Sequence, residues 1–252
     1  MAQSGNPFEN PLTEKNWQVY LELSQGHLKN KIAGFGMHEK AADSYDVYDG
    51  LTMPRFFESW LEVKHTKTGD RNSYSKDIVP SAENHVWEFS VEGSGSDNTM
   101  TFTWANTYFG NGGQELFLWD MAQQRGVNMR QENQYAFNKS KSKNFRVAFG
   151  SADFVKANTE ITDFMVYEAW PNPATENDDV MIAFSIPETL NNTTVNIGVV
   201  DMMGRRVWGV ESLFASGYHE MKWRRAQQET KGMYVVSVRM GHTVKQLKVI
   251  LK

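Results

Sequence analysis

Three aspartates in one short segment have a spacing that could support metal binding. Asp43, Asp46 and Asp49 recur at three-residue steps in the stretch DSYDVYDG. Clustered carboxylate oxygens are the ligands that calcium takes in proteins, but this spacing differs from that of an EF-hand loop. An acidic surface turn is therefore the interpretation we favour, and a calcium site formed by the three aspartates is the alternative.

Two aromatic side chains, Trp60 and Tyr108, could bind a carbohydrate by stacking against a sugar ring. Trp60 lies on the glutamate-bearing side of its segment, which is the side that alternation assigns to solvent. Trp104, by contrast, is in phase with apolar neighbours, and buried aromatics dominate cores of this kind. We therefore predict Trp60 and Tyr108 as the candidate ligand-binding aromatics and place Trp104 in the core.

The remaining chemistry-bearing residues form no recognisable catalytic motif. The six histidines lack the spacing of metal ligands, and the chain contains no cysteine. No nucleophile elbow, P-loop or dinucleotide fingerprint is present, and no pair of carboxylates has a setting typical of glycoside hydrolysis. We predict that the chain is not an enzyme and needs no cofactor beyond the calcium considered above.

Length and composition are those of an exported or intracellular globular protein of about two domains. The 252 residues are 40% hydrophobic and 22% charged, and the net charge of −4 gives no basic face for nucleic acid. No apolar run is long enough to span a bilayer, and the first residues lack the features of a secretory signal. The missing signal fits a complete cytoplasmic protein; the family resemblance described below implies instead a C-terminal fragment or mature portion of a longer, exported protein.

The elements that must position these residues are short strands with turn signals between them. Residues 17–23 alternate strictly, and the runs 87–91 and 100–104 alternate on both sides of a glycine-rich turn, which predicts a hairpin. Residues 66–83 are polar and are expected to form a long connection. This pattern predicts a β-sandwich over residues 12–155, followed by a linker at 156–166.

Residues 167–252 contain their own set of strands. Val180–Ile186 and Val195–Val199 alternate apolar and polar residues, Asp201–Arg206 supplies a turn, and Gly232–Arg239 is rich in β-branched residues. Gly241 and His242 then reverse the chain into a basic closing strand. The fold class expected from the whole chain is all-β, with two β-sandwich domains in tandem and a small immunoglobulin-like sandwich at the C-terminal end.

The C-terminal unit also resembles a known family. The motif Pro171-Asn172-Pro173-Ala174, the turn with Asp201 and Gly204, the Gly232–Val236 strand and the basic closing strand look like the type A C-terminal sorting domain of type IX secretion substrates. Trp170 departs from the tyrosine that is usual before the Pro-Asn-Pro motif. The upstream sandwich is similar to a module found directly before such domains.

The resemblance implies a secretion and sorting function. Proteins of this family are exported by Gram-negative bacteria, crossing the periplasm and then the outer membrane to the cell surface or the medium. The implied partners are an outer-membrane translocon barrel and its shuttle protein, a sortase, and surface lipopolysaccharide after processing. The upstream sandwich is then a spacer or a ligand-binding module. The alternative is an adhesin, with carbohydrate- or cation-dependent binding to a surface.

The resemblance also assigns residues to sorting, in the opening motif, the glycine turns and the closing strand. They are Pro171, Asn172, Pro173, Gly204, Gly232, Tyr234, Lys245, Lys248 and Lys252. We further expect the closing strand to be an edge that offers unpaired backbone groups to a partner, because edge strands recognise partners by strand addition.

Overall fold

The computed structural model describes residues 15–55, 58–67, 70–105, 113–175, 178–224 and 231–252. Nearly all of the regular structure in these ranges is β-strand, which confirms the all-β fold class. The chain divides into two compact units, Met1–Thr159 and Glu160–Lys252, referred to below as the N-terminal and the C-terminal unit. Among the described residues, no helix has the length and hydropathy needed to cross a membrane.

The N-terminal unit contains thirteen strands and one short helix within the described residues. The strands are β1 Trp17–Tyr20, β2 Glu22–Gln25, β3 Leu28–Asn30, β4 Gly34–His38, β5 Gly50–Leu51, β6 Leu61–His65, β7 Tyr74–Pro80, β8 His85–Gly93, β9 Thr99–Thr103, β10 Glu115–Asp120, β11 Arg125–Asn128, β12 Gln134–Asn138 and β13 Asn144–Gly150. The helix α1, Ala152–Asn158, follows β13 and is capped by the Ser151 side chain, which accepts from the Phe154 N–H.

Two sheets form the sandwich of this unit. The larger sheet has the order β1-β4-β7-β6-β8-β13-β10-β11, with β5 paired to β7, and the smaller has the order β12-β9-β2-β3. Aromatic side chains from the two sheets meet between them. Phe102 of the smaller sheet has its ring 5.8 Å from that of Phe89 and 5.0 Å from that of Phe145, both of the larger. The predicted sandwich is therefore present, with its core between these sheets.

The alternating run 17–23 is buried on one face, as predicted, but it is divided between two sheets. Trp17 and Leu21 have no exposed surface, and the run is buried throughout on the alternating side. The chain passes from the larger sheet in β1 to the smaller sheet in β2 at Leu21. The partner strand β4 contains Gly34 and Gly36, where a β-carbon would overlap the β1 backbone. These glycines interrupt the strand pattern of β4 in the sequence, but they allow β4 to approach β1 closely.

The predicted hairpin between residues 87–91 and 100–104 is wrong. Both runs are strands, but β8 pairs with β6 and β13 in the larger sheet, whereas β9 pairs with β2 and β12 in the smaller one. The connection between them therefore passes from one sheet to the other. The glycine-rich segment is long enough for either arrangement, so alternation alone cannot distinguish them.

The polar connection predicted for residues 66–83 is also wrong in part, because β7 lies inside it. Its polarity is explained by a buried charge cluster. Lys67 Nζ lies 3.1 Å from Asp49 Oδ2 and 2.9 Å from Asp77 Oδ1. Burial alone would lower the pKa of Lys67, but the two carboxylates outweigh it and raise that pKa. A charged side chain can lie inside a sheet of this kind when its partners are buried with it.

The C-terminal unit forms a second, smaller sandwich of seven strands. They are β14 Met165–Val166, β15 Val180–Ile186, β16 Thr193–Asp201, β17 Arg206–Phe214, β18 Gly217–Trp223, β19 Gly232–Met240 and β20 Thr243–Leu251. A three-stranded sheet has the order β14-β15-β18, and a four-stranded sheet the order β17-β16-β19-β20. Seven antiparallel strands in two such sheets form the predicted immunoglobulin-like sandwich.

Alternation predicted the core of this unit well. Val180, Ile182, Phe184 and Ile186 of β15 have no exposed surface. They pack in one cluster with the inward residues of β16, β19 and β20. The mixed composition of β17 gave no strand signal, because both of its faces keep partly exposed residues.

The boundary between the units falls between Thr159 and Glu160, which is inside the linker predicted at 156–166. The segment is more structured than a linker, because it contains the end of a helix and buried side chains. Helix α1 extends to Asn158, and the side chains of Ile161 and Phe164 are buried.

Candidate functional site

The opening motif of the C-terminal unit lies against the edge of its last strand. Pro171, Asn172 and Pro173 are exposed, and the peptide bonds that precede both prolines are cis. The Asn172 side chain bonds β20 twice: Nδ2 donates to the Lys248 carbonyl at 2.8 Å, and Oδ1 accepts from the Ile250 N–H at 3.0 Å. An amide side chain offers both a donor and an acceptor, so Asn172 replaces one residue of a neighbouring strand.

Ala174 continues this pairing with its backbone. Its N–H donates to the Ile250 carbonyl at 2.9 Å, and its carbonyl accepts from the Lys252 N–H at 2.8 Å. The Ala174 side chain is fully buried, and the residue forms an isolated parallel bridge with Leu251. Residues 172–174 therefore form a strap, so called below, that closes the outer edge of the last residues of β20.

The edge of β20 is only partly open, which differs from the open edge predicted from the sequence. Backbone groups of alternate residues face alternate sides of a strand, and β20 uses its odd-numbered residues to pair with β19. The backbone groups of the even-numbered residues face outward. The strap occupies the Lys248 carbonyl, both backbone groups of Ile250 and the Lys252 N–H. Within the described chain, the outward groups of Val244 and Gln246 have no hydrogen-bond partner.

The inward side of the closing hairpin is part of the core. Leu247, Val249 and Leu251 face the cluster as predicted, and Val249 is fully buried. Tyr234 is also buried, with its ring 5.6 Å from that of Trp223. The structure therefore places the predicted sorting residue Tyr234 in the core, where its contribution to sorting would be through the fold.

The turn between β16 and β17 explains two further residues of the family pattern. Asp201 Oδ1 accepts from the N–H groups of Met203 and Arg205, both at 2.9 Å, and Oδ2 accepts from Arg205 Nε at 2.7 Å. Burial alone would raise the pKa of Asp201, but these hydrogen bonds hold it below its usual value. Gly204 has a φ of +78°, a conformation that a side chain disfavours, so the glycine fixes this turn.

The three lysines assigned to sorting are not equivalent. Lys248 and Lys252 are exposed on the outer face of the sheet, while Lys245 is half-buried on the inward side with Leu247. Gly232 begins β19 opposite Leu251, with a φ of +153°. The predicted set is thus brought together around β19 and β20, apart from Gly204 in its separate turn.

The acidic loop of the N-terminal unit uses its carboxylates within the protein. Asp46 accepts from the N–H groups of Ala42 and Tyr48, and Asp49 accepts from those of Asp46 and Ile78. Burial raises the pKa of Asp49, against these hydrogen bonds and Lys67. Across the described ranges, no three His, Cys, Asp or Glu side chains are grouped to hold an ion, Asp43 included. The calcium hypothesis remains a prediction.

Trp60 lines a cleft of about 300 Å³ in the N-terminal unit, together with Ile32, Met53 and Arg55. The Arg55 guanidinium carbon lies 3.5 Å from the Trp60 ring centroid, so one ring face is already covered. Arg55 also bonds Glu62 through Nε at 2.9 Å and Nη2 at 2.6 Å. Tyr108 lies outside the described residues, and Trp104 is buried as predicted.

Sequence reasoning missed Arg206, whose side chain lies flat on the outer face of the four-stranded sheet. A β-carbon at Gly209 would overlap its guanidinium, and one at Gly198 would contact it at 3.9 Å. The signal in the sequence is a pair of glycines at facing positions of β16 and β17. The sequence alone does not show that these glycines face each other, because that depends on the strand register.

Comparison with known proteins gives one family match. The family described as "Secretion system C-terminal sorting domain" matches residues 168–252. No curated protein sequence matches the chain. Among solved structures, a polysaccharide lyase aligns with 95% of this chain at 8% identity and a TM-score of 0.25, and the alignment spans 40% of the lyase chain. A likeness of that degree supports no inference about fold or function.

Proposed function

Because residues 168–252 are a C-terminal sorting domain of the type IX secretion system, we propose that they direct an attached cargo out of a Gram-negative cell. The cargo would cross the periplasm and the outer membrane and reach the cell surface or the medium. The family match carries this proposal. The strap supports it, because it joins the opening motif of the domain to its closing strand within one structural unit.

The partners in this proposal follow from the stages of export. An outer-membrane translocon barrel and its shuttle protein would bind the folded domain. A sortase would then separate the domain from the cargo, and surface lipopolysaccharide would receive the cargo. The exposed outer half of the closing hairpin favours binding of the folded domain, since its core residues are unavailable to a partner without unfolding.

The N-terminal unit is proposed to be a non-enzymatic spacer, and carbohydrate binding at the Trp60 cleft is the second candidate. The cleft favours that candidate because it combines an aromatic ring with polar and basic side chains, including Asn30 and Lys31. Calorimetric titration of the chain with soluble polysaccharides tests it, with Trp60→Ala as the variant and Tyr20→Ala, an exposed aromatic that does not line the cleft, as the control. Equal heats in all three proteins would dismiss the cleft.

The sorting proposal is tested by asking whether export requires the closing strand. A secreted reporter is fused in front of the whole chain and expressed in a host with a working type IX system. Deletion of Lys245–Lys252 removes most of β20, and we expect the reporter to stay inside the cell. Limited proteolysis of the purified protein checks that the N-terminal unit is still folded. Unchanged export of the truncated fusion would refute the proposal.

A further inference from the structure

The outer face of the four-stranded sheet carries a set of exposed basic side chains, which we call the basic face. Its members are Arg206, Arg239, Lys248 and Lys252. Strand register places them on one side: Arg206 is opposite Val200, Val200 is opposite Val235, and Val235 is opposite Lys248. Residues of the opposite parity, such as Val199 and Val236, are buried in the core. The four cations therefore share one surface.

Two basic residues elsewhere in the same unit, Lys222 and Arg205, each have an acidic partner, whereas the members of the basic face have none among the described residues. Lys222 Nζ lies 3.4 Å from Asp179 Oδ2, and Arg205 Nε lies 2.7 Å from Asp201 Oδ2. Among the described residues, no carboxylate forms an ion pair with a member of the basic face. The acid on this face is Glu211, which accepts a hydrogen bond from Asn196 Nδ2 at 2.5 Å. Gly232–Lys252 contains no Asp or Glu at all.

One of the cations is fixed in place before any partner arrives. Arg206 lies over Gly198 and Gly209, with Nη2 3.4 Å from the Ile197 carbonyl and Nε 3.4 Å from that of Trp208. Glycine at both positions leaves the space that its guanidinium occupies. A side chain held in this way loses less conformational entropy on binding than a mobile one. A planar guanidinium also matches carboxylate geometry.

Apolar side chains lie between the cations. Val244 is 43% exposed and Ile250 is 45% exposed, and both point out from β20 on the same face. Val200 and Val235 are half-buried between them and Arg206. Docking surfaces combine apolar contact with charges that set orientation and partner choice, and this face carries both.

We propose that the basic face is the surface by which the sorting domain docks onto an acidic protein surface of the secretion machinery. This inference rests on the proposed function. A protein is favoured over a lipid surface because the face carries no Trp, Tyr or Phe to insert at a headgroup boundary. The open backbone edge at Val244 and Gln246 adjoins the face and offers the partner further hydrogen bonds.

Charge reversal tests the proposal in the full chain fused to the reporter. The variants are Arg206→Glu, Arg239→Glu and Lys248→Glu, singly and combined, and Lys222→Glu is the control with the same charge change on the other sheet. We expect export to fall about tenfold for the combined variant and to stay within about twofold for the control. Arg239→Lys, which keeps the charge, should export normally. Thermal unfolding of each purified protein identifies variants that fail to fold. If the combined variant is one of them, export of the folded single variants decides whether the basic face is required.

The possible results distinguish failure of the proposed sorting function from failure of the docking role of the basic face. If the unmodified fusion is not exported, the proposed function fails. If it is exported and the combined, folded variant is exported equally well, the basic face has no docking role. Binding of the purified proteins to vesicles of anionic phospholipid and to micelles of lipopolysaccharide is measured as well. Binding to either that the combined variant abolishes would overturn the assignment of a protein partner.

Discussion

Replacement of Asn172 by alanine should open the edge of the closing strand. The substitution removes both side-chain hydrogen bonds to β20, at 2.8 and 3.0 Å. A net contribution of about 0.5–1.5 kcal/mol each would give 1–3 kcal/mol. Water can reach this exposed position and replace part of the loss, so we expect a cost of about 1 kcal/mol. For a unit of this size, that lowers the melting temperature by about 4–8 °C.

The most direct assay is hydrogen exchange at single amides, because the effect is local. The Ile250 N–H donates to Asn172 Oδ1, so its exchange should become about fivefold faster in Asn172→Ala. Asn172→Asp keeps an acceptor for Ile250 but loses the donor to the Lys248 carbonyl, and it should give an intermediate result. Asn196→Ala is the control, since its side chain bonds Glu211 and not a strand edge.

The expected pattern is specific to the strap. Exchange at Ile250 and Lys252 should respond to the Asn172 variants, while exchange within the β16–β19 ladder should not. If Ile250 exchanges at the same rate in Asn172→Ala as in the unmodified protein, the side-chain hydrogen bonds do not hold the strand, and the reasoning fails.

Three other predictions concern a turn, a buried histidine and the acidic loop. Gly204→Ala should cost about 1 kcal/mol in urea unfolding, through its φ of +78° alone, because nothing lies within 4 Å of the new methyl group; no cost would contradict the turn assignment. Burial lowers the pKa of His65 from 6.5 to about 4, so its contribution to stability is complete above pH 6.5 and is lost as the pH falls toward 4. Unfolding at pH 7.5 and 5.0 should therefore differ less in His65→Gln, and an equal difference would be evidence against this role. Calcium should leave the thermal midpoint unchanged, and a rise that Asp46→Ala removes would show that the loop binds it.

The buried faces of strands could be predicted from the sequence, because burial on one side of a strand makes apolar and polar residues alternate. Strand β8 shows this, with Trp87, Phe89 and Val91 buried and Glu88 and Glu92 exposed. Alternation does not record which strand lies beside which. The run 17–23 therefore hid a change of sheet at Leu21, and the predicted hairpin of β8 and β9 was wrong.

Buried charges are a second reason for failure. β7 contains Lys76 and Asp77 and has the composition of a loop. Its burial depends on Lys67 and Asp49, which reach it from elsewhere in the chain, and composition cannot show that they neutralise each other.

The presence of a sorting domain was predictable from the sequence, whereas the contacts within it were not, and the roles of single residues in sorting stay a prediction. The family resemblance identified Asn172 and Lys248 before any geometry was known, and the family match confirmed the sorting domain. Their hydrogen bond joins positions 76 residues apart, so only the folded chain shows that the opening motif closes the last strand. Arg206 was missed because its position depends on two facing glycines.

The central claim is that the C-terminal unit carries a sufficient export signal. The direct measurement is export of a reporter that carries its own secretory signal and is joined to Glu160–Lys252 alone, in a host with a working type IX system and in the same host without its translocon. We expect the reporter to reach the surface or medium in the first host and to be retained in the second. Retention in both hosts, or export in both, would contradict it.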